Sequence, residues 1–325
     1  MFGEAFDDPA RSRLTFIARE GKKVMEIWIS QLFNALSVSS ILLLIALGLA
    51  ITFGLMGVIN MAHGEFIMIG SYTAYLTQNL FKSMMPKEVF DSYFFVAILA
   101  SFLVAFAVGY LLEGILIRHL YGRPLDSLLA TWGVGLVLQQ VARLIFGAPN
   151  VAVSSPSWLN GGLKFMDGVV FPYKRLFILA LVAVTLIAMY LYIYRSSSGR
   201  RMRAVMQNRE MAACLGISTR RVDGLTFAIG SGIAGIAGCA LTLIGPIGPN
   251  IGTYYIVDAF MVVVLGGVGK LIGTVTGALG IGFFNTMFEW WSNASLGKVF
   301  VFLLIVAFLQ WKPKGMFAIR TRQLD

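Results

Sequence analysis

Three polar side chains that could bind a solute or transfer a proton lie between two long apolar runs of the sequence: Asn60, His63 and Glu65. An amide, an imidazole and a carboxylate can hydrogen-bond a small solute or pass a proton along a relay. A charged group near the centre of a bilayer costs at least ~2.5–3.5 kcal/mol, so these side chains are expected to face protein or a watery cavity. Gly57 and Gly64 flank the group, and glycines permit a bend or break in a helix.

The spacing of this cluster leaves three interpretations open. On a regular helix, Asn60 and His63 share one face, whereas His63 and Glu65 point to nearly opposite sides. That geometry disfavours a proton relay from His63 to Glu65 unless the helix is broken. The other two interpretations are a polar knot that holds a bent helix and the lining of a transport pathway, which glycine-punctuated breaks often mark.

Two further apolar segments carry polar candidates. Between residues 126 and 146, a stripe of small or polar residues recurs at every fourth position: Thr131, Gly135, Gln139 and Arg143. Such a stripe either packs helices together or forms the wall of a pathway. Asp258 is an acid within the short apolar segment 254–265, which is followed by a break of glycines at 266–269. The candidate pathway residues are therefore Asn60, His63, Glu65, Thr131, Gln139 and Asp258.

The elements that must position these residues are membrane spans. The 325 residues are 58% hydrophobic and 13% charged, whereas soluble domains carry about 25% charged residues. Several nearly uncharged runs exceed roughly 18 residues, enough to cross about 30 Å of hydrocarbon. The sequence predicts an all-α, polytopic integral membrane protein with about 8–10 transmembrane helices, some broken or re-entrant. Residues 1–26 are predicted to be a polar N-terminal extension and residues 27–325 a transmembrane domain.

The charge distribution predicts the orientation of the chain. Its net charge is +10, but the positive residues concentrate in short loops and tails, which is an orientation signal and not a nucleic-acid surface. The loop 195–221 contains seven arginines and one acid, Glu210, so it is predicted to be cytoplasmic, as is the basic C-terminal segment 312–322. Five predicted spans precede this loop and place the N-terminus outside, unless the break near Asn60 adds a crossing.

No catalytic, metal or cofactor site is predicted. His63 and His119 are far apart in sequence, and Cys214 and Cys239 form neither a CxxC motif nor a disulfide framework. The glycine-rich segment 266–270 ends in Gly-Lys but lacks the earlier glycine and the following Ser or Thr of a phosphate-binding loop.

Within the arginine-rich loop, residues 199–215 predict one amphipathic helix that ends at Gly216, a good C-terminal stop. Such a helix either lies on anionic lipid or docks in a groove of a soluble partner.

Three stretches resemble the branched-chain amino acid type of ABC importer permease. GVINMAHGE at 57–65 is similar to the family's signature, QNREMAACLG at 207–216 to its cytoplasmic coupling loop, and DAFMVVVLGGVG at 258–269 to its second-half motif. The resemblance covers roughly residues 32–317.

Three other segments, 128–140, 156–162 and 211–222, resemble the urea branch of that family. This resemblance implies a permease for urea or short amides, with branched-chain or hydrophobic amino acids as the alternative. A proton-coupled secondary transporter or a channel is a more distant alternative.

The resemblance also implies partners and a location. The implied partners are a second, paralogous permease subunit, two cytoplasmic ATPase subunits, an extracytoplasmic substrate-binding protein and membrane lipid. The permease itself would not be an enzyme, since ATP hydrolysis belongs to the partner subunits, and it would lie in the bacterial inner membrane. The residues implied in coupling to the ATPases are Arg203, Glu210, Ala213 and Gly216.

Overall fold

A computed structural model describes residues 9–84, 86, 90–166, 169–313 and 315–317. Helices dominate this part of the chain. They are α1 Pro9–Met56, α2 His63–Met84, α3 Tyr93–Ile115, α4 Pro124–Phe146, α5 Tyr173–Arg195, α6 Ser197–Gln207, α7 Arg209–Cys214, α8 Thr219–Leu241, α9 Ile251–Gly266, α10 Leu271–Trp291 and α11 Ala294–Trp311.

Seven of the described helices are long and apolar enough to cross a membrane: α1, α3, α4, α5, α8, α10 and α11. The predicted polytopic helical architecture is thereby confirmed. Two more helices pack among them, the more polar α2 of 22 residues and the short apolar α9 of 16 residues. Counted with the seven, they fall within the predicted range of about 8–10.

Helix α1 continues across the predicted N-terminal boundary. It has 48 residues, about 72 Å at 1.5 Å per residue, so it is longer than the roughly 30 Å of hydrocarbon. The described part of the predicted extension is helical, since the helix runs from Pro9 through position 26 without interruption. Proline is favoured in the first helical turn, and only Gly21 weakens the helix before the apolar run. Residues 1–8 lie outside the described part.

The long loop between α4 and α5 contains a small antiparallel hairpin that the sequence did not predict. Strand β1 spans Gly162–Met166 and strand β2 spans Val169–Pro172. An isolated bridge between Val151 and Ile247 joins this loop to the one between α8 and α9. Both loops therefore lie at the same end of the bundle.

Glycines of α8 bring α1 and α2 to backbone contact. A Cβ added to Gly230 would lie 2.8 Å from the carbonyl oxygen of Gly48 on α1. A Cβ on Gly238 would lie 2.9 Å from the amide nitrogen of Ser71 on α2, and the Ser71 hydroxyl donates to the Gly238 carbonyl at 3.1 Å. This row of small residues therefore packs α8 directly against α1 and α2.

The neighbouring small pair of α8, Ser231 and Gly235, faces α3 in the same way. A Cβ on Gly235 would lie 2.6 Å from the Cβ of Ala105, and one on Gly109 would lie 2.5 Å from the Ser231 hydroxyl. Helix α8 is thus enclosed by three helices and forms the centre of the bundle.

The arginine-rich loop and the described residues that follow α11 lie at the opposite end from the hairpin. The amide of Phe317 donates to the carbonyl of Gly266 at 3.2 Å, so the chain after α11 packs on the end of α9. Arg203 of α6 and Gly269 line one cavity at this end. The arginine-rich loop and the described residues after α11 therefore share an end of the bundle.

Candidate functional site

The predicted break lies between α1 and α2, at residues 57–62. Gly57 has φ of 65°, a backbone conformation that favours glycine. The Asn60 side-chain oxygen accepts the amide of Ala62 at 3.0 Å, and the Thr131 hydroxyl of α4 accepts the amide of Met61 at 3.0 Å. Asn60 and Thr131 thus satisfy backbone donors that the missing helical turn leaves free.

His63 begins α2 and is fully buried against α1. Its Nε2 lies 3.3 Å from the carbonyl oxygen of Ile45, so the tautomer protonated there donates to α1. The ring occupies the space beside Gly48, where a Cβ would lie 2.9 Å from His63 Cε1. His63 therefore fills the space between the start of α2 and the part of α1 that contains Ile45 and Gly48. No hydrogen bond among the described residues joins it to Glu65.

Glu65 forms the centre of a three-helix hydrogen-bond network. The side chain is 3% exposed, and its Oε1 accepts Nε2 of Gln139 on α4 at 2.8 Å. The same Gln139 nitrogen donates to the hydroxyl of Thr253 on α9 at 3.0 Å. The network links the starts of α2 and α9 to the middle of α4.

A glycine pair permits this convergence. A Cβ on Gly64 would lie 2.5 Å from the carbonyl oxygen of Gly252, so α2 and α9 touch by their backbones. Thr253 follows directly, which places its hydroxyl beside Gln139. The feature of the sequence that points to Thr253 is the preceding Gly252. A single sequence, however, does not show that Gly252 packs against Gly64.

A cavity of about 340 Å³ opens beside the network. Its polar lining comes from Glu65, Gln139, Thr253 and Asn250. The rest of the lining is mainly apolar or aromatic and includes Trp132, Leu136, Tyr254, Ile256 and Val257. This combination suits a small solute that has a polar head and an apolar body.

Arg143 lies one helical turn beyond Gln139 on α4. Its guanidinium donates to the side-chain oxygen of Asn250 at 2.7 Å. It lines a smaller cavity of about 140 Å³ that shares Asn250 and Tyr254 with the larger one. The guanidinium of Arg143 therefore lines the smaller cavity, and the carboxylate of Glu65 lines the larger one.

Asp258 lies apart from the other candidate pathway residues. It occupies a different side of α9 and accepts the ammonium of Lys298 on α11 at 3.2 Å. The cavity that it lines, of about 240 Å³, also includes Arg175 and Glu289 and is separate from the one at Glu65. The structure thus brings Asn60, Thr131, Glu65 and Gln139 to one region but not Asp258.

The amphipathic segment departs from its prediction. The expected single helix over 199–215 is two helices, α6 and α7, which meet at Asn208. Asn208 is extended, with φ −154° and ψ 105°, and its side chain accepts the amide of Met211 at 2.9 Å. It is therefore an N-cap that starts a new helix. Gly216, with φ of 80°, follows the end of α7 as predicted.

The implied coupling residues divide between two surfaces. Glu210, Ala213 and Gly216 are exposed, together with the apolar side chains of Met211 and Leu215, which is 75% exposed. Arg203, in contrast, is half-buried and lies over the ring of Tyr194 at 5.2 Å. Arg203 lines a cavity together with Gly54 and Gly269, so it is not part of the exposed surface of α7.

An ionic anchor that the sequence did not suggest holds α7 to the bundle. The guanidinium of Arg209, the first residue of α7, lies 2.5 Å from a carboxylate oxygen of Asp223 on α8. It also lies over the ring of Tyr121 at 4.8 Å, whose hydroxyl donates to Glu113 of α3 at 3.0 Å. The feature of the sequence that could have predicted this ion pair is Asp223, a lone acid near the start of a glycine-rich span.

Within the described residues, no group of three or more His, Cys, Asp or Glu side chains is arranged to hold a metal ion. The network at Glu65 consists of a carboxylate, an amide and a hydroxyl, which are groups for hydrogen bonding.

Comparison with known proteins gives consistent matches. Residues 31–309 match the family described as branched-chain amino acid transport system / permease component. The permease protein BraD of Pseudomonas aeruginosa, from a high-affinity branched-chain amino acid transport system, is 33% identical over 295 residues, covering 89% of this chain and 95% of the relative. The LivH permease of Escherichia coli K12 is 30% identical over 299 residues, with the same two coverages.

One more distant match carries a similar description. A probable branched-chain amino acid transport permease, LivH of Methanocaldococcus jannaschii, is 26% identical over 90% of this chain and 93% of its own length. No solved structure matches significantly. The relatives are permease subunits of transporters and not enzymes. The chain therefore belongs to the family of branched-chain amino acid transport system permease components.

Proposed function

We propose that this chain is the membrane-spanning permease subunit of an ATP-driven importer for apolar amino acids. The observation that carries the proposal is the cavity beside Glu65, which combines a carboxylate, an amide and a hydroxyl with apolar walls. Family membership supports the transport class, and the relatives named for branched-chain amino acid transport favour amino acids over urea.

The chemistry of the cavity favours the same substrate. Urea is neutral and small, and it needs hydrogen-bond partners but no counter-charge or apolar wall. An apolar amino acid carries a positive head, a negative head and a hydrophobic side chain. The cavity pair offers Glu65, Arg143 and the walls formed by Trp132 and Leu136 to these three parts.

The orientation follows from charge. We place the end that carries α6, α7 and the C-terminal segment on the cytoplasmic side, because its arginines satisfy the positive-inside rule. The exposed surface of α7 then faces two ATPase subunits. A second permease subunit would complete the pathway, and an extracytoplasmic binding protein would deliver substrate to the hairpin end. The assembly would lie in a bacterial inner membrane.

The direct test is uptake of labelled leucine and labelled urea in cells that lack only this gene, with an uncoupler as a control. We expect loss of leucine uptake with urea uptake intact, and no dependence of wild-type uptake on the proton gradient. Selective loss of urea uptake would return the protein to the urea branch. Uptake by the purified chain alone in liposomes would contradict an ABC mechanism.

The exposed surface of α7 gives a second test. We expect Glu210→Lys to insert and fold normally but to lose most stimulation of its ATPases, since a reversed charge disrupts a complementary interface. The measurement is ATP hydrolysis by the reconstituted complex. Asp126→Lys is the matched control, because Asp126 is an exposed acid at the same end of the bundle. Normal stimulation in Glu210→Lys would remove Glu210 from the coupling surface.

A further inference from the structure

The carboxylate of Glu65 lacks the partners that a buried charge normally has. Its Oε1 accepts one hydrogen bond from Gln139, but its Oε2 is buried and has no hydrogen-bond partner among the described residues. The ion pairs found in the described chain use other acids, so no Lys or Arg there lies within 4.0 Å of this carboxylate.

An unpaired oxygen in such a position is unfavourable. Buried polar atoms are normally hydrogen-bonded, and buried charges are normally paired with an opposite charge. His63, the nearest basic side chain in sequence, is directed to the carbonyl oxygen of Ile45 on α1 and supplies no donor. No described side chain donates to the free oxygen, which is therefore available to a donor that enters from outside the described chain.

The cavity gives such a molecule access. Glu65 lines it directly, and the terminal torsion of a glutamate side chain is broad, so the carboxyl can turn its free oxygen into the space. Gln139 donates to Glu65 and Thr253 through one nitrogen, which holds the amide in place beside the carboxylate.

We propose that Glu65 binds the ammonium group of the transported amino acid and thereby selects amino acids over uncharged or deaminated analogues. The apolar side chain of the substrate lies against Trp132, Leu136 and Val257, and its carboxylate is directed toward Arg143. This inference rests on the proposed function and adds to it the residue that recognises the ammonium.

The test uses the complete transporter, reconstituted in liposomes with its ATPases and binding protein. We expect Glu65→Gln to lower leucine uptake about tenfold or more, because a hydrogen bond to a charged group becomes a neutral one. Asp126→Asn is the matched control, since it removes an exposed carboxylate of α4 that does not line this cavity, and its uptake should remain within about threefold of wild type. Wild-type leucine uptake by Glu65→Gln would overturn the proposal.

A second measurement keeps the wild-type carboxylate and does not depend on how Glu65→Gln folds. Leu136→Cys places a thiol on the cavity wall, in a Cys214→Ser background because Cys214 is exposed. Leucine should slow modification of this thiol in the assembled transporter, whereas 4-methylpentanoate, which lacks the amino group, and urea should not. Equal protection by leucine and 4-methylpentanoate, or no protection by leucine, would contradict the proposal.

The two levels of inference fail in different ways. A wild-type transporter that imports no amino acid would refute the proposed function, whatever Glu65 does. A transporter that imports leucine equally well with glutamine at position 65 would refute only the ammonium site.

Discussion

Gly238→Ala is expected to destabilise the bundle by about 3 kcal/mol, the upper end of the cost that overpacking typically has, because the added atom meets rigid backbone. The added Cβ would overlap the carbonyl oxygen of Ile67 and would lie 2.9 Å from the amide nitrogen of Ser71. Neither group can move by a side-chain rotation. The measurement is the thermal unfolding of the detergent-solubilised protein, together with its yield as a monodisperse species.

Gly280→Ala is the matched control for this variant. Gly280 lies within α10, and a Cβ there would have no atom within 4 Å. The substitution should leave stability unchanged or raise it by about 0.5–1 kcal/mol, since alanine is the better helix former. Equal stability of the two variants would show that α8 does not touch α2 at Gly238.

Arg209→Gln is expected to reduce ATP-driven uptake at least about tenfold while the transmembrane bundle stays folded. The charged side chain is the main described link between α7 and the bundle, since Ala212 is the one described residue of α7 that is buried. Losing a partner of a partly buried ion pair costs more than losing an exposed one. Uptake and ATP hydrolysis should be measured together, because a detached α7 leaves hydrolysis uncoupled from transport.

Two further variants separate the causes of that loss. Arg200→Gln changes an exposed arginine of α6 whose hydrogen bonds are local, to Arg195 and Ser197, and it should transport normally. In the double variant Arg209→Gln/Asp223→Asn, the unpaired buried charge of Asp223 is also removed, but the ionic link between α7 and α8 is still absent. If this variant transports like wild type, the buried charge and not the link explains the defect, and the anchoring role is wrong.

The sequence was sufficient for the features that depend on local chemistry. The break near Asn60 follows from glycines and polar groups inside an apolar run, and the small-residue rows of α8 follow from their spacing. The interruption at Asn208 was also readable, because an asparagine followed by Glu210 in the first turn is a typical helix start. The prediction of one helix gave more weight to the apolar face than to this cap.

The residues that complete the site could not be predicted from a single sequence. Thr253 and Asn250 join Glu65, Gln139 and Arg143 only because α9 crosses α2 at a glycine pair, and one sequence does not specify which distant glycines meet. Asp258 shows the converse, since an acid in a glycine-broken segment matched the expected pattern but faces a different side of its helix. Helical side is set by tertiary packing, which periodicity alone does not fix in a segment that is apolar all round.

The backbone contacts of α8 also have a mechanical consequence. The helix has 23 residues, about 34 Å at 1.5 Å per residue, and it leads from the Asp223 anchor to the loop that precedes α9. Contacts between side chains can absorb a displacement by changing rotamers, but contacts between backbones cannot. A force applied to α7 is therefore expected to displace α8 as one rigid element, so that the loop before α9 moves together with the end that carries α7.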